Sequence, residues 1–256
     1  MAFRIDTDFQ GLQPGAPRPA DPIAGCRVAI TGGTAGLGLA LVKEFILRGA
    51  SVAFVARNRA GVDQVADDHP GAHGIAGDVS RKDDIYTIAM QITGELGGLD
   101  VLINNASSLG PVPLALLGDT HCEDLESALA TNLLGPFRLT KALLGALAAS
   151  AREGRGAVVL NISSDAAVNP YPRWGAYGAS KAALHHLTRI WNEELAEEGI
   201  RFLSVDPGDM DTALHRLAAP DADPVTLKRP EASAREIVDS IAALLPLRVL
   251  STEGNR

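Results

Sequence analysis

From Cys26 onward the chain alternates short apolar runs with longer segments whose apolar residues recur at helical spacing. Arg27-Val28-Ala29-Ile30 reads as a strand, the stretch through Leu41 and Phe45 as a helix, and Ser51-Val52-Ala53-Phe54-Val55 as the next strand. The same punctuation predicts strands at 73–76, 99–103, 157–162 and 200–205, and a last one at 248–250. It predicts helices at about 85–96, 125–149, 174–198, 211–218 and 232–245. Short, nearly continuous apolar strands separated by helices belong to a parallel sheet covered on both faces, the α/β class with a doubly wound, three-layer sandwich. Ligands of such sheets bind beyond the carboxyl ends of the strands.

Residues 1–24 lack this periodicity and contain Pro14, Gly15, Pro17, Pro19 and Pro22, so they are expected to form a leader outside the fold. The remainder, 25–256, is expected to be one catalytic domain. With 46% hydrophobic residues in 256, it can bury one substantial core. A formal charge of -8 argues against a nucleic-acid surface, which needs a basic stripe. Cys26 and Cys122 lack metal or redox spacing, and the six histidines, including His185-His186, form no HExxH cluster, so no metal is expected. No apolar run reaches membrane-spanning length, and a cytoplasmic location is expected.

Two clusters carry the candidate chemistry. Thr31-Gly32-Gly33-Thr34-Ala35-Gly36-Leu37-Gly38 falls between a predicted strand and a predicted helix. There, Gly32, Gly36 and Gly38 let backbone approach a dinucleotide pyrophosphate. About 20 residues past such glycines an acid usually reads a free adenosine ribose. Here the chain has Ala56-Arg57-Asn58-Arg59 instead, and the fork of Arg57 suits a 2′-phosphate, so NADP(H) is expected over NAD(H). Asp78-Val79 either sets a carboxylate near the adenine amino group or begins a helix with Asp78 as its cap. Asn105 and Ala106, after the fourth strand, are placed by the same crevice, where Asn105 either shapes the floor of the adenosine pocket or serves only to form a turn.

The second cluster is Tyr177-Gly178-Ala179-Ser180-Lys181, downstream of Ser163-Ser164. Residues four apart share a helix face, so Tyr177 and Lys181 are expected to meet a reacting carbonyl together, with the ammonium lowering the phenol pKa and holding a ribose hydroxyl. Ser164, or its neighbour Ser163, is placed to donate to the developing alkoxide. Asn132 interrupts an apolar helix, either to hold a water linking Lys181 to solvent or to satisfy a kink. Leu109, Tyr171, Trp174 and Met210 are candidate substrate contacts, with core packing or a dimer contact as the alternative for each.

Taken together, the segments TGGTAGLG, NNA, TN, ISS, YGASK and DPGDMDT resemble those of the short-chain dehydrogenase/reductase family, in family order, over roughly 25–250. The resemblance implies a Rossmann-type sheet of about seven strands and hydride transfer between a nicotinamide and a carbonyl or alcohol. It carries catalytic roles onto Asn132, Ser164, Tyr177 and Lys181, and places Pro207, Gly208 and Thr212 along the nicotinamide side. Ser107 stands where the family usually has glycine, and 247–253 replaces a glycine-rich last strand that helps form tetramers in many relatives. A homodimer through the helices containing Leu139 to Leu147 and Leu184 to Trp191 is therefore expected. Ser107 to Val112 and Trp174 to Tyr177 are locally similar to sepiapterin reductase and related NADPH-dependent carbonyl reductases. The leading expectation is a reductase of a small carbonyl with Tyr177 as general acid. The rivals are a catalytically idle NADP(H)-binding redox sensor or assembly protein, and a dehydratase or epimerase on the same scaffold.

Overall fold

The computed structural model describes residues 21–246. Its strands are β1 (Arg27–Thr31), β2 (Ser51–Ala56), β3 (Ala72–Ala76), β4 (Val101–Asn104), β5 (Ala157–Ile162) and β6 (Ile200–Val205). Between and after them lie α1 (Gly36–Leu47), α2 (Arg59–Asp68), α3 (Ile85–Leu96), α4 (Cys122–Leu129), α5 (Gly135–Arg152), α6 (Gly175–Glu194), α7 (Ala213–Ala218) and α8 (Pro230–Ala242). The sheet runs β3-β2-β1-β4-β5-β6 with every pairing parallel. It is the expected Rossmann-type α/β sandwich, with six strands among the described residues rather than about seven. The strand expected at 248–250 lies outside them, as does most of the leader.

Strand alternation divides the core in two. Val28, Ile30, Val52 and Phe54 join α1 and α8 on one face, while Ala29, Ala53 and Val55 join α3 and α5 on the other. Leu139, Leu143 and Leu147 of α5 are buried in that second layer, and Trp191 of α6 stacks on Phe137 and packs against Phe202. Leu184 is buried as well. An interface through these helices would have to use other side chains.

Three elements differ from the pattern. Helix α2 was not anticipated, because Val62 and Val65 are its sole buried residues and leave too faint a period; Asn58 caps it by accepting from Ala60 N at 3.1 Å. The expected helix at 125–149 is two helices joined by a π-helical turn, Ala130–Leu134, that holds Asn132. The helix expected to reach 198 ends at Glu194.

Candidate active site

Strands β1 and β4 are neighbours in the sheet although far apart in sequence, so the connections leave them in opposite directions and open a crevice at their carboxyl ends. The glycine loop lies there. Gly32 and Gly36 have φ of 72° and 51°, in the left-handed region. Gly38 serves close approach: a Cβ on it would stand 2.0 Å from the Gly32 carbonyl oxygen. Gly38→Ala is therefore expected to destabilise the fold by about 1–3 kcal/mol and to abolish dinucleotide binding, read by equilibrium unfolding and a fluorescence titration.

At the start of α1, Ala35 supplies no side-chain cap and the first turn carries no acid. Its backbone N–H groups are thus suited to an anion. The loop is stitched to β4 by Asn105, whose amide nitrogen donates to Thr31 O at 2.8 Å, while the Thr31 hydroxyl accepts from Asn105 N and Ala106 N at 3.0 Å each. Asn105 thus shapes the crevice by tying two strand ends together.

A cavity of about 500 Å³ brings together Gly32, Gly36, Leu37, Gly38, Arg57, Asn105, Ala106, Leu109, Ser164, Trp174, Tyr177, Lys181, Pro207, Gly208, Met210 and Thr212. A smaller hollow of about 220 Å³ shares Gly32, Arg57 and Ala106 with it and adds Thr34, Asp78 and Val79. A glycine cradle, an uncapped helix start and two connected hollows fit an extended dinucleotide. Arg57 directly follows β2, exposed and without an ion-pair partner among the described residues, whereas Arg59 stands 3.6 Å from Asp63. Asp78 accepts from Ser80 N and Ser80 Oγ at 2.9 and 2.7 Å, so one of its oxygens closes a turn before α3 rather than capping that helix.

At the other end Tyr177 is buried against Leu109 and Ala166, and Trp174 meets it edge-on with ring centroids 5.6 Å apart. Burial pushes the Tyr177 phenol above its ordinary value; the Ser164 and Ser107 hydroxyls pull it back, and the charges of Asp206 and Asp165 add to the rise. Set against that net rise is Lys181, expected to lower this pKa, one helical turn along α6. Its Nζ donates to Ile162 O at 2.7 Å and sits 5.6 Å from the centre of the phenol ring, and burial pushes Lys181 itself down to about 8. Ser164 Oγ donates to Asp165 Oδ1 at 3.2 Å and accepts from Ala166 N, also at 3.2 Å. Ser163 is buried and bonded through its backbone to Val205 O.

Two expected residues do not line the hollows. Asn132 accepts from Ser108 N and Ser107 Oγ at 2.8 and 3.2 Å and donates to Ser108 O and Ser180 Oγ at 2.7 and 2.8 Å. Both side-chain donors and both lone pairs of the side-chain oxygen are committed, so this side chain clamps the segment after β4 to α6. Tyr171 is exposed at the rim because its hydroxyl donates to Asp165 Oδ2 at 2.7 Å.

Sequence reasoning missed Ser107, Asp165, Asp206, Asp209 and His215 in the cavity wall, and Thr131 in the smaller hollow. Asp206 and Asp209 lie inside the DPGDMDT segment, and Ser107 follows NNA, so motif adjacency was the available signal.

The short chain dehydrogenase family matches residues 27–223. An uncharacterized oxidoreductase of Mycobacterium tuberculosis (strain H37Rv) is 34% identical over 192 residues, 72% of this chain; the chain spans 55% of that relative's length. Among solved structures, a 3-ketoacyl-(acyl-carrier-protein) reductase from Brucella melitensis complexed with NADH superposes with a TM-score of 0.79 at 26% identity, over 84% of this chain and 90% of that one. A short chain dehydrogenase from Shigella flexneri complexed with NADP gives 0.76 at 25% identity, over 83% and 89%. With the glycine cradle, the parallel sheet and the Ser164, Tyr177 and Lys181 cluster in one crevice, the match places this chain in the short-chain dehydrogenase family.

Proposed function

We propose that this chain is an NADP(H)-dependent oxidoreductase that reduces a small ketone, aldehyde or dicarbonyl to the alcohol. The observation that carries the reading is a buried phenol, kept protonated by its surroundings, beside the Ser164 hydroxyl in a cavity that continues to the glycine cradle. A bound nicotinamide supplies the hydride. Gly32, Thr34, Gly36, Leu37 and Gly38 hold the cofactor phosphates, with Asp78, Val79 and Ala106 around its adenosine. Pro207, Gly208 and Thr212 flank the other end, where Ser233 Oγ fixes Pro207 O at 2.9 Å.

Ser164 orients and polarises the carbonyl oxygen, and Tyr177 gives it a proton as the C–O bond becomes an alcohol. Lys181, fixed to Ile162 O behind the ring, anchors the base of this pocket. In oxidation the same phenol takes the proton. Leu109, Trp174 and Met210 wall the substrate end, which suits a small carbonyl compound. Purified protein is expected to oxidise NADPH with at least one of a panel of aldehydes, 1,2-diketones, quinones and pterins, followed by absorbance. NADPH binding with no turnover on any of them would count against the reading.

The preference for NADP(H) rests on Arg57, the unpaired guanidinium shared by both hollows. Arg57→Asp is expected to reduce the ratio of NADPH to NADH affinity about 10- to 100-fold, the worth of charge-assisted hydrogen bonds to a phosphate. Titration of both cofactors against both proteins measures it, and an unchanged ratio would refute the assignment.

A further inference from the structure

Among the described residues, two buried side-chain polar atoms have no hydrogen-bond partner: Asn104 Oδ1 and His215 Nδ1. The first lies in the sheet, where the Asn104 amide nitrogen is bonded to Thr140 and Asn161. The second belongs to a residue of the cavity wall. His215 is in α7, and Ala218, three residues on, packs against Leu109, Ala166 and Tyr177. Residues three apart share a helix face, so His215 stands on the side of α7 that faces the phenol pocket.

The backbone of His215 is fixed, because its N–H donates to Thr212 Oγ1 at 3.2 Å. On one side of the ring Nε2 stands 3.6 Å from Asp209 Oδ1, near enough for its charge but beyond hydrogen-bond distance, so the ring is free to turn. A carboxylate there favours the proton on Nε2 and leaves Nδ1 as an acceptor. A buried acceptor without a partner is unfavourable, and turning the ring towards a ligand donor relieves it.

Three further acceptors stand in this wall. Carboxylates of Asp165, Asp206 and Asp209 line the same cavity, and Asp206 takes up just one oxygen locally, on Gly208 N. Donation comes from Tyr177 and Ser164, which serve the reacting oxygen. A ligand suited to this wall brings a donor of its own beside its carbonyl.

We propose that His215 is a specificity-determining residue that accepts a hydrogen bond from a substrate hydroxyl next to the reacting carbonyl. The substrate class is then a hydroxylated ketone or aldehyde, and the product a vicinal diol. This rests on Tyr177 acting at the carbonyl of the same cavity.

The test compares trans-1,2-cyclohexanediol with trans-2-methoxycyclohexanol, which keeps one hydroxyl for Tyr177 and replaces the second donor with an ether. Calorimetry is done with saturating NADPH, with which an alcohol does not react. Wild-type protein is expected to bind the diol about tenfold more tightly than the ether, the discrimination expected of one hydrogen bond. His215→Leu is expected to bring the two affinities together, and His215→Gln, whose amide oxygen accepts, to retain part of the ratio. Equal affinities in the wild type, no detectable binding of either compound, or a ratio that persists in His215→Leu would each overturn the proposal. Because the wild-type ratio is decisive alone, a variant that fails to fold does not rescue it. Turnover surviving in Tyr177→Phe would instead sink the assignment of Tyr177 as the acid at that carbonyl, whatever the binding ratio.

Discussion

Replacing Tyr177 by Phe is expected to lower kcat for carbonyl reduction by about 10²–10⁴-fold, the range for losing a positioned general acid, with NADPH affinity kept at the wild-type level. Several observations set this expectation. The phenol is buried beside Leu109 and Ala166, in the half of the cavity away from the glycine cradle. Burial raises its pKa, so at neutral pH it carries the proton that the nascent alkoxide needs. Phe keeps the ring packed against Trp174 and removes the hydroxyl alone, so a fall in kcat reads the proton and not the fold. Single-turnover reduction, alongside a fluorescence titration of NADPH, separates the two quantities. Wild-type turnover in the variant would remove Tyr177 from the chemistry.

Asp100 sets the second large effect, at the amino ends of the central strands. It precedes β4, is fully buried, and accepts from Arg27 Nη2 at 2.7 Å, Arg155 Nη2 at 2.9 Å and Ser150 Oγ at 2.6 Å. Asp100→Asn leaves two guanidiniums facing a neutral amide. Breaking a buried pair in this way costs about 3–5 kcal/mol, and for a chain of this size the melting temperature should fall by on the order of 10 °C. Hydride transfer per folded molecule should persist, because the site lies at the carboxyl ends of the strands.

The pH dependence has a defined sign. Burial alone would push the Asp100 carboxyl up, but hydrogen bonds from Arg155, Arg27 and Ser150 overcome this and hold it well below the usual carboxylate range. A group whose folded pKa is depressed stabilises fully above its unfolded value, about 3.9, and loses that contribution as pH falls from there towards the folded pKa. The difference in melting temperature between wild type and Asp100→Asn is therefore expected to be constant at neutral pH and to narrow below about pH 4. A gap that stays constant through that acid interval would mean that ionisation of Asp100 does not carry the stabilisation.

The local pattern determined much of this protein. Apolar runs four to six residues long have one solution when helical segments separate them, a parallel sheet covered on both faces, and the strands fall close to where periodicity put them. The glycine loop and the Tyr177–Lys181 spacing were equally legible, since each depends on residues adjacent in sequence: backbone freedom at Gly32 and Gly36, and one helical turn between the phenol and the ammonium. What required the tertiary structure was everything set by which elements meet. Helix α2 is defined by the β2 and β3 strands it covers more than by its own two buried valines. Asn132 became a clamp because Ser107, Ser108 and Ser180 close around its side chain, and Tyr171 left the pocket because Asp165 holds it at the rim. The Tyr177 pKa followed burial, and His215 entered the wall through the placement of a short helix after the last described strand. Periodicity encodes which face of an element is buried; partners distant in sequence decide hydrogen bonding and local dielectric, and those set the chemistry of the site.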